Sequence, residues 1–348
     1  MDSPLFLEDI QRISNSISNY EQYRNSTFFI TGGTGFIGSV ITKSLLYLNE
    51  QKNLNLTLIL YIRSTEKLKE VYPHTPSCIH VITGDFSSPI HCTEPVDYIF
   101  HCASITDSKT MVTQPVETIS TTFQSTSYVL ELAREKQIKS MVYLSSMEVY
   151  GSVSSSLRCT ESDLGSIDIL NIRSSYSEGK RAAECLCKCY AQEYHVPVKI
   201  ARLAQTFGPG VPPSDNRIFA QFSKSVISNT DIVLHTTGQS MGNYCYTTDS
   251  VSAIFLLLSM GDEGEAYNVV NEKTTTTICG MAQMVAHEIA HDQIKVIFDL
   301  PKDAAQLGYA PPTQLSLSSK KLNALGWSAS FELKDMYIRT IEYFRSFL

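Results

Sequence analysis

A glycine-rich run between an apolar segment and a helical pattern constrains the fold of this chain more than any other feature. The apolar segment is Thr27-Phe28-Phe29-Ile30, and the run is Thr31-Gly32-Gly33-Thr34-Gly35-Phe36-Ile37-Gly38. Apolar residues then recur at helical spacing, at Phe36, Ile37, Val40, Ile41, Leu45 and Leu48. This order predicts a strand, a tight turn and a helix N-terminus. Because N–H groups at such a helix end bind phosphate oxygens, and glycine permits close approach, the run predicts a dinucleotide site.

The composition is that of a globular protein with a sizeable core. The chain has 348 residues, of which 43% are hydrophobic and 18% charged, so we expect two domains or one domain with an appended lobe. The net charge of −7 and the lack of a lysine/arginine cluster argue against a nucleic-acid partner. The longest apolar run, 253–258, is too short to cross a bilayer, and residues 1–9 carry acids where a secretory leader is basic. We therefore expect a cytoplasmic protein that is not attached to a membrane.

The cysteines predict neither a disulfide framework nor a metal site. There are nine, an odd number in a long chain. Cys185, Cys187 and Cys189 are spaced like metal ligands, but they lie in a helical stretch. Only Cys185 and Cys189 share a helix face, and no histidine accompanies them, so we expect ordinary helix packing.

Alternating strands and helices predict an α/β fold with a doubly wound parallel sheet. The predicted strands are 27–31, 56–62, 79–83, 96–102, 140–146 and 198–203, and the predicted helices are 35–50, 116–136 and 174–194. The strands are continuous apolar runs, which is typical of parallel sheets covered on both faces. Residues 1–24 are predicted to form a helical N-terminal extension, and 25–203 a Rossmann-type dinucleotide-binding domain.

The residue pattern changes after residue 204, because the segment 208–213 is rich in glycine and proline, which favour loops. Further Pro and Gly follow at 301 and 308–312. We expect residues 204–348 to form mainly a smaller C-terminal substrate-binding lobe, with about 249–271 returning to the main sheet. Because ligands of doubly wound folds bind at the carboxyl ends of the strands, the lobe should close over that edge.

A second motif adds chemistry to the predicted dinucleotide site. Tyr176 and Lys180 are four residues apart in a helical stretch, so the phenol and the ammonium share a face. A nearby cation should lower the pKa of the Tyr176 phenol, which can then take a proton from a sugar hydroxyl while hydride leaves the same carbon. Ser146 ends an apolar strand and can hydrogen-bond the same oxygen.

Together these motifs resemble those of the extended short-chain dehydrogenases/reductases, in the nucleotide-sugar epimerase/dehydratase group. The matching segments are 31–38, Gly84-Asp85, 100–104, 145–151, 176–180, Arg202 with 207–209, 267–271 and 321–327. The likeness covers nearly the whole chain beyond residue 25. It is specific for the superfamily and not for one reaction, although the motifs are closest to those of UDP-glucuronate decarboxylases.

The resemblance implies roles for the matched positions. Tyr176 would be the catalytic base, Lys180 would tune it, and Ser146 and Glu148 would complete the catalytic set. Binding of NAD or NADP would involve Gly32, Thr34, Gly35, Phe36, Ile37, Gly38, Arg63, Asp85, Phe86, Ala103, Ser104, Tyr176 and Lys180. A nucleotide-sugar substrate would contact Ser146, Met147, Gln205, Arg217 and Tyr244. The resemblance also implies a homodimer and a tightly held cofactor.

Several positions depart from the family. Dehydratases carry an Asp-Glu pair after the Ser/Thr; Glu148 matches the glutamate, which takes the C5 proton of a 4-keto sugar, but Met147 replaces the aspartate. Gly242 stands where many members have an arginine that grips a phosphate or a sugar carboxylate, which weakens the decarboxylase interpretation. Gln205 and Thr122 each replace an asparagine. These changes indicate an unusual substrate or weakened activity.

The predicted cofactor form depends on the end of the second strand. Members that prefer NAD place an acid there for the ribose 2′-hydroxyl, but this chain has Arg63-Ser64, which favours the 2′-phosphate of NADP.

Three functions stay open at this point. The first is a nucleotide-sugar epimerase, dehydratase or decarboxylase that works through a 4-keto intermediate. The second is an NADPH-dependent reductase of a keto sugar or similar carbonyl. The third is a non-catalytic dinucleotide-binding scaffold.

Overall fold

The computed structural model describes residues 3–153, 158–300 and 313–348. The loop residues predicted at 301 and 308–312 lie outside the described residues. The described strands are β1 (Thr27–Thr31), β2 (Thr57–Ile62), β3 (Ile79–Thr83), β4 (Tyr98–His101), β5 (Ser140–Ser146), β6 (Val198–Leu203), β7 (Gln205–Phe207), β8 (Ile232–Leu234), β9 (Met241–Tyr246), β10 (Ala266–Val269), β11 (Asn271–Thr277) and β12 (Val296–Phe298).

The described helices lie between and around these strands. They are α1 (Pro4–Ser16), α2 (Phe36–Lys52), α3 (Thr65–Val71), α4 (Ser108–Thr113), α5 (Pro115–Lys136), α6 (Ser174–Tyr194), α7 (Ile218–Ser228), α8 (Thr247–Met260), α9 (Ile278–Met284), α10 (Lys320–Asn323) and α11 (Leu333–Arg345). Short 3-10 turns cover Tyr20–Tyr23 and Met147–Tyr150, and a π-helical turn covers Val285–Ile289. None of the helices in the described ranges is both long and apolar enough to cross a bilayer.

A seven-stranded parallel sheet forms the centre of the fold, with the strand order β10-β6-β5-β4-β1-β2-β3. Successive residues of β1 serve opposite faces, since Phe28 and Ile30 pack into one core cluster and Phe29 into the other. Helices α1, α2 and α8 contribute to the first cluster, and α5 and α6 contribute to the second. The predicted doubly wound Rossmann-type sheet is confirmed.

The chain reverses its direction of strand addition between β1 and β4. β1 pairs with β2 on one side and β4 on the other, with Thr31 opposite His101 at the carboxyl ends. In doubly wound sheets this switch point is where ligands bind, because the loops on its two sides diverge. It lies directly beside the glycine-rich run.

The smaller strands lie beyond the main sheet. β11, β9 and β7 form a three-stranded sheet, and β12 pairs with β8. The chain comes back to the main sheet through α8 and β10, where Ala266 pairs with Ile200 of β6. This route places β7 and β9 next to the carboxyl ends of β5 and β6.

The first helix ties the amino-terminal segment to the rest of the fold. Ser3 caps α1 by accepting from the Phe6 amide at 3.3 Å. Asp9 is buried and accepts from the Tyr246 hydroxyl and from an Arg339 nitrogen, both at 2.6 Å. These bonds connect α1 to β9 and α11.

The six predicted strands and three predicted helices are confirmed, with ends that differ by at most two residues from those observed. The helices α3 and α4 were not predicted. They have seven and six residues, which is too short for an apolar stripe to repeat.

Candidate functional site

The glycine-rich run forms a tight cradle before α2. Gly32 has a φ of +68°, and the Gly35 amide donates to the Gly32 carbonyl at 2.8 Å. A Cβ on Gly38 would lie 2.2 Å from that same carbonyl oxygen, so only glycine fits there. No side chain caps α2 at Gly35, which leaves N–H groups of its first turn, including those of Phe36 and Ile37, free for phosphate oxygens. The residues present therefore fit a dinucleotide pyrophosphate.

The end of β4 forms the other wall of this cradle. A Cβ on Gly32 would lie 2.8 Å from the Ala103 nitrogen. The Thr31 hydroxyl accepts from that nitrogen at 3.1 Å and lies 2.7 Å from His101 Nδ1. Burial lowers the pKa of His101 to about 3, so its ring is neutral and serves as a fixed support. The buried Ser104 hydroxyl has no partner among the described residues, which suits a ligand rich in hydroxyl groups.

The ends of β2 and β3 form the outer part of the cradle. Arg63 is exposed, while Ser64 caps α3 and donates to Glu66 Oε2 at 2.8 Å. Hydrogen bonds from Ser87 lower the pKa of the exposed Asp85. The Phe86 ring is buried, with its centre 4.8 Å from that of Tyr61. The aromatic group of Phe86 therefore packs in the core beneath this part of the site.

Ser146, Tyr176 and Lys180 come together where β5 ends and α6 begins. The Lys180 ammonium donates to the Leu144 carbonyl at 2.7 Å and lies 5.9 Å from the centre of the Tyr176 ring. A hydrogen bond with Ser146 acts to lower the pKa of Tyr176. Tyr176 and Lys180 are both buried. The predicted hydroxyl, phenol and ammonium are thus brought together, with the phenol and the ammonium both removed from water.

The predicted low pKa of Tyr176 is wrong for the protein by itself. Burial raises the pKa of this phenol, and the carboxylate of Glu148 raises it further. Burial also lowers the pKa of Lys180 to about 8, because an ammonium loses its hydration in the protein interior. Sequence spacing showed the pairing but not the cost of removing both groups from water.

Glu148 docks on the first turn of α6. Its amide donates to Ser146 Oγ at 3.2 Å, and its carboxylate accepts from Arg173 Nη2 at 3.0 Å and from Ser177 Oγ at 3.4 Å. Sequence reasoning missed Arg173. Its position three residues before Tyr176 was the available signal, because residues three apart share a helix face.

The predicted substrate residues lie on several elements. Met147 packs against the core cluster beneath it, while Gln205 and Tyr244 face each other in register across β7 and β9. The Gln205 Oε1 atom is buried without a partner among the described residues. Arg217 forms an ion pair with Asp215 at 2.6 Å and is close enough to Tyr176 to act on its pKa.

Two of the departures from the family pattern have a clear steric setting. A Cβ on Gly242 would meet no atom within 4 Å, so a side chain can begin there without displacing a neighbour. The Thr122 hydroxyl donates to the Thr118 carbonyl at 2.7 Å and is therefore used within α5. Gly179 brings α6 close to that position, since a Cβ there would lie 3.3 Å from the Thr122 Cβ.

A buried ion pair supports the site from below. Arg202 of β6 pairs with Glu184 of α6 at 2.7 Å, and its side chain donates to the Tyr150 hydroxyl at 3.0 Å. The Ser145 hydroxyl donates to the same glutamate at 2.5 Å. This network fixes α6 against β5 and β6, the two strands whose ends border the site.

The cysteines lie as their spacing predicted. Cys187 is buried in the core, and Cys185 and Cys189 are exposed on one face of α6. Within the described ranges, no group of three or more metal-ligating side chains is close enough to hold a metal ion.

A family model described as the NAD dependent epimerase/dehydratase family matches residues 28–271. The chain belongs to this family. It is 29% identical over 321 residues to UDP-glucuronic acid decarboxylase 6 of Arabidopsis thaliana, covering 90% of this chain and 89% of the relative. It is 26% identical over 338 residues to dTDP-D-glucose 4,6-dehydratase of Bos taurus, covering 91% and 88%.

A solved structure shows the same fold. The UDP-glucuronic acid 4-epimerase of Bacillus cereus, in complex with UDP-glucuronic acid and NAD, has a TM-score of 0.74 and 20% identity. The match covers 92% of this chain and all, 100%, of that one. These findings confirm the predicted extended short-chain dehydrogenase/reductase and the predicted class of NAD(P)-dependent, nucleotide-sugar-modifying enzyme.

Proposed function

We propose that this enzyme oxidises a nucleotide sugar at C4, uses the resulting ketone for a second step at C5, and then returns the hydride. The observation that supports this is the grouping of Ser146, Tyr176 and Lys180 with Glu148 beside them. A scaffold that only bound a dinucleotide would have no use for a carboxylate docked on the helix turn that carries the phenol.

Each residue has a distinct part in the proposed sequence. A bound nicotinamide supplies the hydride acceptor. Tyr176 takes the proton from the C4 hydroxyl, Ser146 hydrogen-bonds the same oxygen, and the Lys180 ammonium stabilises the phenolate. The C4 ketone makes the C5 proton acidic, and Glu148 then takes that proton. The buried pocket keeps the reactive ketone from water.

The side chains around Glu148 narrow the second step. Met147 offers no acid to help a C6 hydroxyl leave, which disfavours ordinary 4,6-dehydration. Gly242 offers no guanidinium for a sugar carboxylate, which disfavours ordinary decarboxylation. The proposal is therefore C5 chemistry on a substrate that these relatives do not share.

We also propose NADP as the preferred, tightly held cofactor. The exposed guanidinium of Arg63 at the end of β2 supports this, because it suits a 2′-phosphate. Glu66 opposes it, since Ser64 holds this carboxylate nearby. The balance between these two charges decides the cofactor preference.

A homodimer and a cytosolic location complete the proposal. Val116, Ile119 and Phe123 are exposed by 68%, 38% and 42% and lie on one face of α5. Such an apolar stripe favours burial against a second copy. Nine cysteines, an odd number in a long chain, favour a reducing compartment. The mass of the protein in solution, with and without Phe123→Glu, tests the dimer.

The test of the function is incubation with a panel of nucleotide sugars in deuterated water, followed by NMR of the products. The proposal expects deuterium at C5 from the wild type. It expects none from Glu148→Gln, while oxidation at C4 persists. Glu178→Gln is the matched control, because Glu178 pairs with Arg181 on the same helix at 3.6 Å. Deuterium at C5 that is undiminished in Glu148→Gln would overturn the proposed base.

A further inference from the structure

Arg173 binds the carboxylate of Glu148 without being part of the motif formed by Tyr176 and Lys180. It directly precedes α6 and donates to Glu148 Oε1 at 3.0 Å through Nη2. Ser177 reaches the other carboxylate oxygen at 3.4 Å. The two donors therefore flank Tyr176 in the sequence and hold Glu148 against the turn that carries the phenol.

The guanidinium has no competing structural task in the described part of the chain. Its Nη1 atom is buried and has no hydrogen-bond partner there, so Glu148 is the one side chain that it binds. An arginine that serves only to tie elements together engages several of its donors, as Arg202 does with Glu184, Tyr150 and the Glu161 carbonyl. Arg173, in contrast, donates to one side chain, Glu148, within the described residues.

The charges around Tyr176 explain why such a residue is needed. Lys180 lies on the same helix as Tyr176. Tyr143 lies on β5, Glu148 lies on the 3-10 turn after β5, and Arg217 directly precedes α7. Glu148 raises the pKa of the phenol, and Arg173 lowers it. The Arg217 charge is largely offset by Asp215, which accepts from it at 2.6 Å.

The proposed reaction requires two neighbouring groups to be anionic together. Tyr176 must give up its proton while Glu148 stays a carboxylate, ready for the C5 proton. A carboxylate next to a phenolate that is removed from water disfavours the phenolate. A cation bonded to one of them reduces that repulsion.

We propose that Arg173 is a positioning residue that acts through Glu148, clamping and neutralising its carboxylate so that the Tyr176 phenolate can form beside it. This inference rests on the proposed function for its purpose. The electrostatic coupling itself can be measured without turnover.

The first measurement is the tyrosinate absorbance of the NADP-loaded protein as a function of pH, taken as the difference from Tyr176→Phe. Arg173→Gln should move the appearance of tyrosinate upward by about one pH unit or more, since it leaves the Glu148 charge uncompensated. Arg173→Gln with Glu148→Gln should move it back. Arg173→Lys, which keeps the charge, should lie near the wild type.

The matched control is Lys188→Gln on the same helix. Lys188 is exposed and pairs with Glu265, away from Tyr176, so its loss should not shift the titration. An Arg173→Gln titration equal to or below that of the wild type would overturn the proposal. An equal upward shift in the single and double variants would also overturn it, because Arg173 would then act independently of Glu148.

A second measurement separates this inference from the proposed function. The pH dependence of kcat/KM, with the nucleotide sugar of the panel that the wild type turns over fastest, should follow the titration in each variant. Failure of the wild type to turn over any nucleotide sugar of the panel would count against the function, whereas the titration decides on Arg173. Thermal unfolding of each variant identifies a folding defect. If Arg173→Gln is defective, the titration of Arg173→Lys is compared with that of the wild type instead.

Discussion

The two sides of the candidate site differ in how much room they leave for change. On the cofactor side, a Cβ at Gly38 would lie 2.2 Å from the Gly32 carbonyl oxygen. On the lobe side, a Cβ at Gly242 would meet no atom within 4 Å. Steric constraint therefore restricts the proposed cofactor side to glycine, while open space on the lobe side permits a side chain.

The largest effect on ligand binding should come from filling the crowded side. Gly38→Ala should weaken NAD(P) binding about 100-fold or more, since the added methyl displaces the backbone that cradles the pyrophosphate at a cost of about 3 kcal/mol. Gly242→Ala is the matched change on the open side and should bind the cofactor like the wild type. Calorimetric titration with both cofactors measures this. Equal cofactor affinities of Gly38→Ala and Gly242→Ala would contradict the proposed difference between the two sides of the site.

The largest effect on stability should come from breaking the buried ion pair beneath the ends of β5 and β6. Arg202→Met should lower the free energy of unfolding by about 3–5 kcal/mol, because it leaves the buried Glu184 carboxylate without its partner. Urea unfolding gives the value. Lys188→Met removes a lysine from an exposed ion pair, so it should change stability little. A loss at Arg202 as small as that at Lys188 would show that the buried network does not hold α6.

Introducing an arginine at position 242, on the lobe side, should increase the selectivity for a ligand with a sugar carboxylate. Gly242→Arg adds a Cβ where no atom lies within 4 Å, and it should raise the affinity for UDP-glucuronic acid about tenfold, the equivalent of one charge-assisted hydrogen bond. The affinity for UDP-glucose, which has no carboxylate on its sugar, should change much less. A parallel change for both ligands would mean that this position does not face the sugar.

The smallest effect should be on the preference for NADP over NAD. Arg63→Ala should raise KM for NADP several-fold and leave KM for NAD nearly unchanged, because only NADP carries the 2′-phosphate. Glu66→Gln should act in the opposite direction and lower KM for NADP. Equal effects of Arg63→Ala on the two cofactors would remove the proposed preference for NADP.

The same contrast explains what could be predicted from the sequence. The cradle was predictable because its constraints are local: Gly32, Gly35 and Gly38 lie within seven positions and leave few alternatives. The strands of the main sheet were equally readable, since burial on both faces makes β1 and β5 continuous apolar runs.

The rest depended on contacts between distant segments. The pairing of Arg173 with Glu148 joins residues 25 positions apart, and the bonds of Asp9 to Tyr246 and Arg339 span most of the chain. The raised pKa of Tyr176 also escaped prediction, because burial depends on the whole fold. The roles of the site residues remain predictions that the variants above test.

The most direct test of the catalytic account is hydride transfer in Tyr176→Phe, followed by the absorbance of the reduced nicotinamide during a single turnover with the nucleotide sugar that the wild type accepts. The account predicts that reduction falls at least about 1000-fold while cofactor and nucleotide-sugar binding persist, since only the proton acceptor is lost. Reduction at the wild-type rate would show that another group takes the C4 hydroxyl proton, and the assignment of Tyr176 would be wrong.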